Sequence, residues 1–347
     1  MGRALGGQWL GNEIADHAMQ KKRYKAYVLH FTSPLHIGNA REDYGSCQKT
    51  VASDSMYAAL TSTLAEVGHP LPADGDLGCV ISSLFPFREM DEQRERVYFF
   101  PRPFSPVHPR TENPADNKLL KKVKWVDSYW LQKLLKGDGM PTRTDQMKSI
   151  HGEYLTRGYW KEDFIISAEM QRVAIAARDR SEPPMPFYMD KVLFRGRSGL
   201  FFLCEGDTSL VDAAMPILQQ SGLGTDKAVG NGAFEYEVDE IDLEVPNEAT
   251  AAMCLSVYIP SSKAELEAGL SHPAAAYTLS RRGGWIASQE KMLLRKRAIY
   301  ALAEGSVLAR QAECDVAGRI VDLNPSEALV EHPVWRCGKA LFLPLKA

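Results

Sequence analysis

The sequence predicts an α+β protein built from two related sheet-and-helix units. Short segments in which apolar residues alternate recur from residue 24 to the C-terminus, as is typical of half-buried strands. Two segments, 53–67 and 210–220, instead repeat their apolar residues at helical spacing. The order of strand, helix, paired strands, helix and strand is that of a split βαβ unit with long insertions. A second, shorter unit begins near residue 251.

Composition narrows the class of protein. The 347 residues fit about two domains, and a content of 45% hydrophobic and 24% charged residues is that of a soluble globular protein. The sequence has no run of about 18 apolar residues that would span a membrane. The six cysteines lack a Cys-x-x-Cys pair, which argues against a zinc ribbon and fits reduced thiols in the cytoplasm. The formal charge of −3 restricts any nucleic-acid surface to a local basic patch.

The first unit opens with a strand and a helix. Residues 1–23 carry no apolar signal-peptide core, and we expect them to be a disordered extension. Residues 27–31 alternate and predict a strand. Ser53 is placed to cap a helix that ends near Gly68. The segment 118–136 mixes basic and apolar residues at helical spacing, which indicates either a solvated basic face or a patch for RNA or a partner.

The middle of the chain predicts a protruding hairpin. Strand-like segments at 173–177 and 187–203 flank residues 178–186, whose three prolines cannot continue a sheet. A helix follows at 210–220, with Pro216 either in its first turn or at a kink. The last strand, 234–245, changes phase near Asp239 and Glu240, which predicts a bulge or a bend.

The second unit is predicted to begin after Pro246. Residues 253–259 alternate as a strand, and Ser261 or Ser262 can cap the helix that follows. Later strands are predicted at 298–302, 306–310 and 340–343.

The most informative stretch is Gly222-Leu-Gly-Thr-Asp-Lys-Ala-Val-Gly-Asn-Gly-Ala-Phe234, and residues 222–233 are called the glycine segment below. Glycines permit positive φ and close backbone approach, and consecutive free amides can bind an anion. A dinucleotide-binding loop follows a strand and opens a helix, whereas this segment follows a helix and precedes a strand. No Gly-Lys-Ser or Gly-Lys-Thr closes it as a P-loop. It is therefore either a different anion-binding loop or a mobile connector.

Several segments together resemble the RAMP superfamily of CRISPR proteins and, within it, the family of fourth subunits of the type III-A Csm effector complex. Each motif is short, but their common order extends along nearly the whole chain. The segments are 31–38, 53–60, 82–86, 98–103, 121–125, 255–260, 281–286, 303–307 and 332–341.

The resemblance implies two ferredoxin-like (RRM-like) βαββαβ domains with insertions, at 24–245 and 246–347. It implies a cytoplasmic, non-catalytic RNA-binding subunit, without cofactor or metal, that holds the 5′ handle of the CRISPR RNA (crRNA). The implied protein partners are the large polymerase/cyclase subunit and a backbone RAMP subunit, with target RNA contacted only indirectly. A β-hairpin thumb is expected within 171–203. The sequence departs from the family at 225–229, where Asp226 would repel a phosphate.

The expected RNA contacts fall into three groups. The amides of the four glycines and the Lys227 ammonium would bind phosphates, and His36 would lie beside them, positioned by Ser33 and Asp54. Arginines flanking the thumb would bind phosphates bidentately, and apolar residues near its tip would either stack on bases or pack in the core. The set is Gly222, Gly224, Lys227, Gly230, Gly232, His36, Ser33, Asp54, Arg172, Arg178, Arg180, Arg195, Arg197, Met185 and Phe187.

Two alternatives remain open at the level of sequence. A metal-independent RNA endonuclease of the same superfamily would need a general base, for which only His36 is suitably placed, and the sequence offers no matched acid. A pure assembly subunit that bridges other proteins without touching RNA is also compatible with the slightly acidic charge.

Overall fold

A computed structural model of the chain describes residues 19–38, 45, 47–90, 95–105, 111–142, 146–174, 185–286, 294–310, 316–326 and 330–347. These residues form the helices α1 (Ser53–Glu66), α2 (Pro114–Lys122), α3 (Ser128–Lys136), α4 (Ser209–Ser221) and α5 (Lys263–Leu270). No described helix is long and apolar enough to cross a membrane.

The remaining regular structure is mainly β-strand. The strands before residue 247 are β1 (Met19–Phe31), β2 (Cys79–Ile81), β3 (Phe85–Glu89), β4 (Arg96–Pro101), β5 (Trp125–Asp127), β6 (Ile150–His151), β7 (Tyr154–Leu155), β8 (Ile165–Ala174), β9 (Met185–Phe194), β10 (Ser198–Gly206) and β11 (Phe234–Pro246). The later strands are β12 (Ala251–Cys254), β13 (Leu279–Arg282), β14 (Ile299–Leu302), β15 (Val307–Ala309), β16 (Val316–Ala317), β17 (Ile320–Asp322), β18 (Trp335–Cys337) and β19 (Ala340–Leu345).

A nine-stranded sheet organises the first part of the chain. Its order is β11-β1-β10-β3-β4-β5-β7-β6, and β2 pairs with β10 beside β3. β1 pairs antiparallel with β11 along all thirteen residues, from Met19 opposite Pro246 to Phe31 opposite Phe234. β8 and β9 leave this sheet as a separate antiparallel pair, with Ile165 opposite Phe194 and Ala174 opposite Met185.

The central strands of the sheet bury side chains on both faces. On one face Tyr27 and Leu29 pack with apolar residues of α1 and α4, as expected for helices that each present one apolar stripe. On the other face Ala26 and Val28 pack against α3 and against strands of the C-terminal part, including β12 and β19. The two parts of the chain therefore share one continuous apolar layer, although they form different sheets.

The C-terminal part is built on a smaller sheet in the order β15-β12-β19-β16, with two further two-stranded pairs, β13-β14 and β17-β18. Helix α5 is its one α-helix among the described residues after 246. Ser262 caps this helix by accepting a hydrogen bond from the amide of Glu265 at 3.1 Å, so the prediction of a serine cap is confirmed.

Several local predictions are wrong, each for a physical reason. The helix predicted over 118–136 is interrupted by β5, because its residues pair with β4 and β7 and Asp127 then caps a new helix, α3. No bulge occurs near Asp239, since β11 keeps an unbroken register with β1. Ser53 is the first helical residue and not the cap; its hydroxyl accepts from the amide of Val257 in the C-terminal part.

The N-terminal boundary also differs from the expectation. Residues 19–23, predicted to belong to a disordered extension, are part of β1 and pair with the end of β11. Residues 1–18 lie outside the described part of the chain.

Asp54 joins the two parts of the chain through a buried ion pair. Its fully buried carboxylate accepts hydrogen bonds from Arg282 at 2.6 and 2.7 Å and from Arg336 at 2.6 Å. Burial alone would raise the pKa of Asp54, but the two guanidinium groups outweigh burial and lower it. Both carboxylate oxygens are occupied by arginines of the C-terminal part, so Asp54 is buried between the two parts and does not lie at the surface.

We expect Asp54→Asn to lower the free energy of unfolding at pH 7 by about 3–5 kcal/mol, because two buried guanidinium groups lose their counter-charge. Since the folded pKa is depressed, this stabilisation is present above the unfolded pKa of about 3.9 and is lost as pH falls through the folded value. Urea unfolding at several pH values should therefore show the gap between wild type and variant narrowing in acid. Asp242→Asn, which removes a half-buried carboxylate that pairs with Lys21 and Arg23 at the surface, is the control and should cost much less.

Candidate nucleic-acid interface

Three segments that are distant in sequence meet where β1 ends and β11 begins. We call residues 33–36, 190–192 and 222–233 together the junction. Because the last residue of β1 faces the first residue of β11, the loop after β1 and the glycine segment leave the sheet together. The Ser33 hydroxyl accepts from the amide of Ala233 at 2.8 Å. The amide of Gly232 donates to the carbonyl of Pro34 at 2.9 Å.

The hairpin formed by β8 and β9 is attached to the same place. Leu35 and Val192 exchange two backbone hydrogen bonds of 2.8 Å. His36 donates from Nδ1 to the carbonyl of Asp190 at 2.7 Å, and the amide of Cys47 donates to the Asp190 carboxylate at 3.2 Å. The hairpin is therefore hydrogen-bonded at its base to the loop that follows β1.

Lys191 links the hairpin directly to the glycine segment. Its side chain is buried, only 3% of its surface is exposed, and its Nζ donates to the Asn231 side-chain carbonyl at 2.7 Å. Burial lowers the pKa of the Lys191 ammonium, and the positive charge of Arg172 adds to this effect, whereas Asp226 opposes it. A cation thus lies beneath the loop with an amide oxygen as its described partner.

The base of the glycine segment is closely packed. A Cβ at Gly232 would lie 1.8 Å from the carbonyl oxygen of Leu223, and one at Gly224 would lie 2.6 Å from that of His36. Gly222 is also buried against residues 231 and 232. Most amides of the segment donate within the chain, namely those of residues 222, 223, 225 and 229–233. The prediction that the glycines form one open row of amides is wrong for this base, where they serve backbone packing.

The tip of the segment, residues 225–230, is exposed. The side chain of Lys227 lies there, and a Cβ at Gly230 would meet no atom within 4 Å. Among the described residues, the amides of residues 224 and 226–228 donate no hydrogen bond. Asp226 adopts the left-handed conformation at φ 57°, which Asp and Asn tolerate better than other side chains. The tip therefore offers unpaired amides and one lysine to solvent.

The other residues predicted to contact RNA differ in their burial and in their ion-pair partners. His36 is only 3% exposed and is hydrogen-bonded to the hairpin, which it helps to hold; its direct contact with RNA stays a prediction. Arg172 is half-buried, Arg195 lies 3.6 Å from Glu162, and Arg197 is exposed but pairs with Glu89. Arg178 and Arg180 lie outside the described residues.

The far end of the hairpin exposes apolar side chains. Met185 is 70% exposed and Tyr188 is 57% exposed, while Phe187 is half-buried. Val173, opposite Pro186 on β8, is 53% exposed. Such side chains stabilise a hairpin little, and they are available to contact bases or a partner.

Sequence reasoning missed Lys191 and Asn231. Asn231 lies within the glycine segment, but nothing in the sequence pairs it with a lysine forty residues earlier, on a strand of the hairpin. The only available signal was a lysine within an otherwise largely apolar strand, and such a residue is rarely fully buried unless it is paired.

One group of described residues has the composition of a metal site. Ligand atoms of His30, Glu89 and Glu237 lie within 4.8 Å of one another. Arg96 donates to both glutamates and Arg197 also pairs with Glu89, so guanidinium groups already pair with these carboxylates. This group is better described as an ion-pair network than as a metal centre.

Comparisons with known proteins extend over most of the chain. A profile of the CRISPR Csm4 C-terminal domain matches residues 247–345. The chain is 27% identical over 314 residues to the "CRISPR system Cms protein Csm4" of Mycobacterium tuberculosis, a match that covers 87% of this chain and 93% of the relative. The protein of the same name from Streptococcus thermophilus is 23% identical over 333 residues, covering 93% of this chain and 99% of the relative. The chain is thus similar to Csm4 proteins over most of its length, and its C-terminal part matches the Csm4 C-terminal domain.

Solved structures of Csm4-containing assemblies hold chains with a similar fold. A chain of the "Csm1-Csm4 cassette in complex with pppApA" aligns with a TM-score of 0.56 and 18% identity, covering 94% of this chain and 98% of that chain. A chain of the "Csm3-Csm4 subcomplex in the type III-A CRISPR-Cas interference complex" aligns with a TM-score of 0.56 and 19% identity, covering 93% and 100%. The chain accordingly has the α+β fold of the Csm4 chains in these assemblies.

Gly230 at the exposed tip and Gly232 at the packed base of the segment provide a matched pair of substitutions. We expect Gly230→Ala to lower the free energy of unfolding by about 1 kcal/mol, since its φ of 81° disfavours a side chain but space is available. Gly232→Ala should cost considerably more, because the added Cβ also overlaps the Leu223 carbonyl. Thermal unfolding of both variants checks this order; equal losses would show that the base of the segment is not packed as described.

Proposed function

We propose that this chain is a non-catalytic RNA-binding subunit of a type III-A CRISPR (Csm) interference complex, which caps the 5′ handle of the crRNA. One observation carries the proposal. Three segments that the sequence singles out separately converge at the junction, and they present an exposed lysine and unpaired amides above a buried cation. RNA with a defined single-stranded end is held by backbone contacts together with splayed, stacked bases, which this arrangement can supply.

In the proposed complex, charged groups and amides of the junction would bind phosphates, and side chains of the hairpin would contact bases. Lys227 and the amides at the tip would bind phosphate oxygens, and Lys191 would add positive potential from below. Arg172 lies close enough to influence the pKa of Lys191, so it adds to the same potential. Met185, Phe187 and Tyr188 on the hairpin would contact bases, since base–aromatic stacking is tolerant of sequence. The hairpin would thus act as the thumb.

The fold supports this function as a scaffold. Strands β1, β2/β3, β10 and β11, with α1 and α4, follow the βαββαβ order, and β1 lies between β11 and β10 in the sheet. We propose a ferredoxin-like domain over 24–245 and a reduced second one over 246–347. The second proposal has the support of a family match that begins at residue 247, but the described residues supply one helix instead of two.

The protein partners follow from the relatives. Solved structures named for Csm1-Csm4 and Csm3-Csm4 assemblies contain chains with this fold. We propose that this chain likewise docks the large polymerase/cyclase subunit and a backbone RAMP subunit, and contacts target RNA only through them.

The alternative function, an RNA endonuclease, depends on His36 as the general base. His36 is buried and its Nδ1 donates to a backbone carbonyl, which does not favour a role as general base. Incubation of repeat RNA with the purified protein is expected to leave the RNA intact. Cleavage that His36→Ala abolishes would replace our proposal with the enzymatic one.

The charge at the tip gives the main test. We expect Lys227→Glu to weaken binding of a handle RNA, because a phosphate contact is replaced by repulsion. The slope of log affinity against log salt should become shallower by about 0.7. Fluorescence anisotropy over a range of salt concentrations measures both quantities.

Lys263→Glu is the matched control, since this lysine is exposed on α5 in the other part of the chain. Its RNA affinity should equal that of wild type. If both variants bind RNA as wild type does, while the large partner is still captured, the chain is an assembly subunit and the proposal of handle binding is wrong.

A further inference from the structure

A second surface with features suited to nucleic acid lies several strands from the junction. An open cleft of about 1050 Å³ is lined by the end of the β3–β4 hairpin, the start of α3 and residues 157–162. We call it the aromatic–arginine cleft and define it by Arg88, Tyr129, Arg157, Tyr159, Trp160 and Lys161.

The cleft and the junction lie at the same end of the large sheet. Antiparallel pairing places the end of β1, the start of β10, the end of β3 and the start of β4 together. Three strand spacings separate β1 from β4 in the order β1-β10-β3-β4, which is about 14 Å at the usual distance between strands. An extended polymer held at the junction could therefore continue along this end of the sheet into the cleft.

The cleft combines cations with aromatic faces. The Arg157 guanidinium carbon lies 4.1 Å from the centre of the Tyr129 ring, and that of Arg88 lies 5.9 Å from the centre of the Trp160 ring. Tyr159 is 65% exposed, although a tyrosine of a folded domain normally buries much of its ring. Cationic grooves with aromatic platforms are typical of single-strand binding, where phosphates meet the cations and bases stack on the rings.

Arg88, Arg157 and Lys161 of the cleft have no ion-pair partner among the described carboxylates. Among the residues that the structure describes, no carboxylate lies within 4.0 Å of the charged groups of Arg88, Arg157 or Lys161. The carboxylates nearby are engaged: Asp127 accepts from two amides and from the Thr156 hydroxyl, and Glu162 pairs with Arg195. Glu95 is the remaining acidic residue of the lining and is exposed.

We propose that the aromatic–arginine cleft is a second site for single-stranded RNA, in which Arg157 and Lys161 bind phosphates and Tyr159 stacks on a base. The inference goes beyond the proposed function, which concerns the junction alone. An acidic peptide would satisfy the cations but would leave the aromatic faces without flat partners, so RNA fits the lining better.

The test uses the full chain and two labelled RNAs, of about 5 and about 20 nucleotides, the shorter matching the lower end of single-strand site sizes. The double variant Arg157→Gln/Lys161→Gln should weaken binding of the long RNA about 10-fold and make its salt slope shallower by about 1.4. Tyr159→Ala should weaken it about 5-fold or more with the salt slope unchanged. The short RNA, held at the junction, should be insensitive to both, and Lys263→Gln should affect neither RNA.

Failure of this inference can be distinguished from failure of the proposed function. Lys227→Glu should weaken both RNAs; if it does not, while the cleft variants weaken the long RNA, the cleft stands and the junction proposal falls. Crosslinking of 4-thiouridine RNA to peptides that contain Tyr129 or Tyr159 would support the cleft directly. Unchanged affinity of the cleft variants for the long RNA would overturn the inference, and loss of co-purification with a Csm subunit in those same variants would assign the cleft to a protein.

Discussion

The unbroken ladder between β1 and β11 is the constraint on which the remaining structure depends. Thirteen consecutive pairs fix the register, and a slip by one residue would turn every buried side chain of β1 to the wrong face. The same register places the loop after β1 beside the end of the glycine segment. The geometry of the junction is therefore a consequence of backbone pairing between residues that are more than two hundred positions apart in the sequence.

Buried polar contacts then join the two parts of the chain into one body. The Asp54 carboxylate is neutralised by two arginines of the C-terminal part, and the Ser53 hydroxyl beside it accepts from a backbone amide of that part. Breaking such a pair leaves an uncompensated buried charge, so these contacts specify how the two parts are arranged even where their net contribution to stability is small. The apolar layer that β1 shares with β12 and β19 supplies the area over which this arrangement is held.

The parts of the fold that local chemistry determines were predictable from the sequence. The helices at 53–66, 209–221 and 263–270 follow from apolar spacing, and the Ser262 cap follows from side-chain chemistry. The break at Trp125–Asp127 was not predictable, because the same residues repeat at helical spacing and only pairing with β4 and β7 makes them a strand. At the interface, the glycine segment was found from its composition, whereas the burial of Asp54 and His36 and the Lys191–Asn231 contact depend on long-range packing. Charged and polar residues near a loop look alike in sequence whether they face solvent or a partner inside the protein.

The Asp226 side chain, which departs from the basic residues expected near a phosphate, has a backbone explanation. The carbonyl of Asp226 accepts from the amides of Val229 and Asn231 and from the Asn231 side chain, which requires the left-handed turn that Asp adopts at low cost. The same Asn231 side chain accepts from Lys191, so the turn, the buried cation and the hairpin are connected through one residue. The Asp226 carboxylate lies near enough to Lys191 to oppose the effect of burial on its pKa, and it therefore offsets part of the positive charge beneath the tip. In the proposed binding of an anion, the positive potential at the tip would come from Lys227, from Arg172 and from the part of the Lys191 charge that Asp226 does not offset. The conformation of the loop, and not its charge alone, exposes the amides.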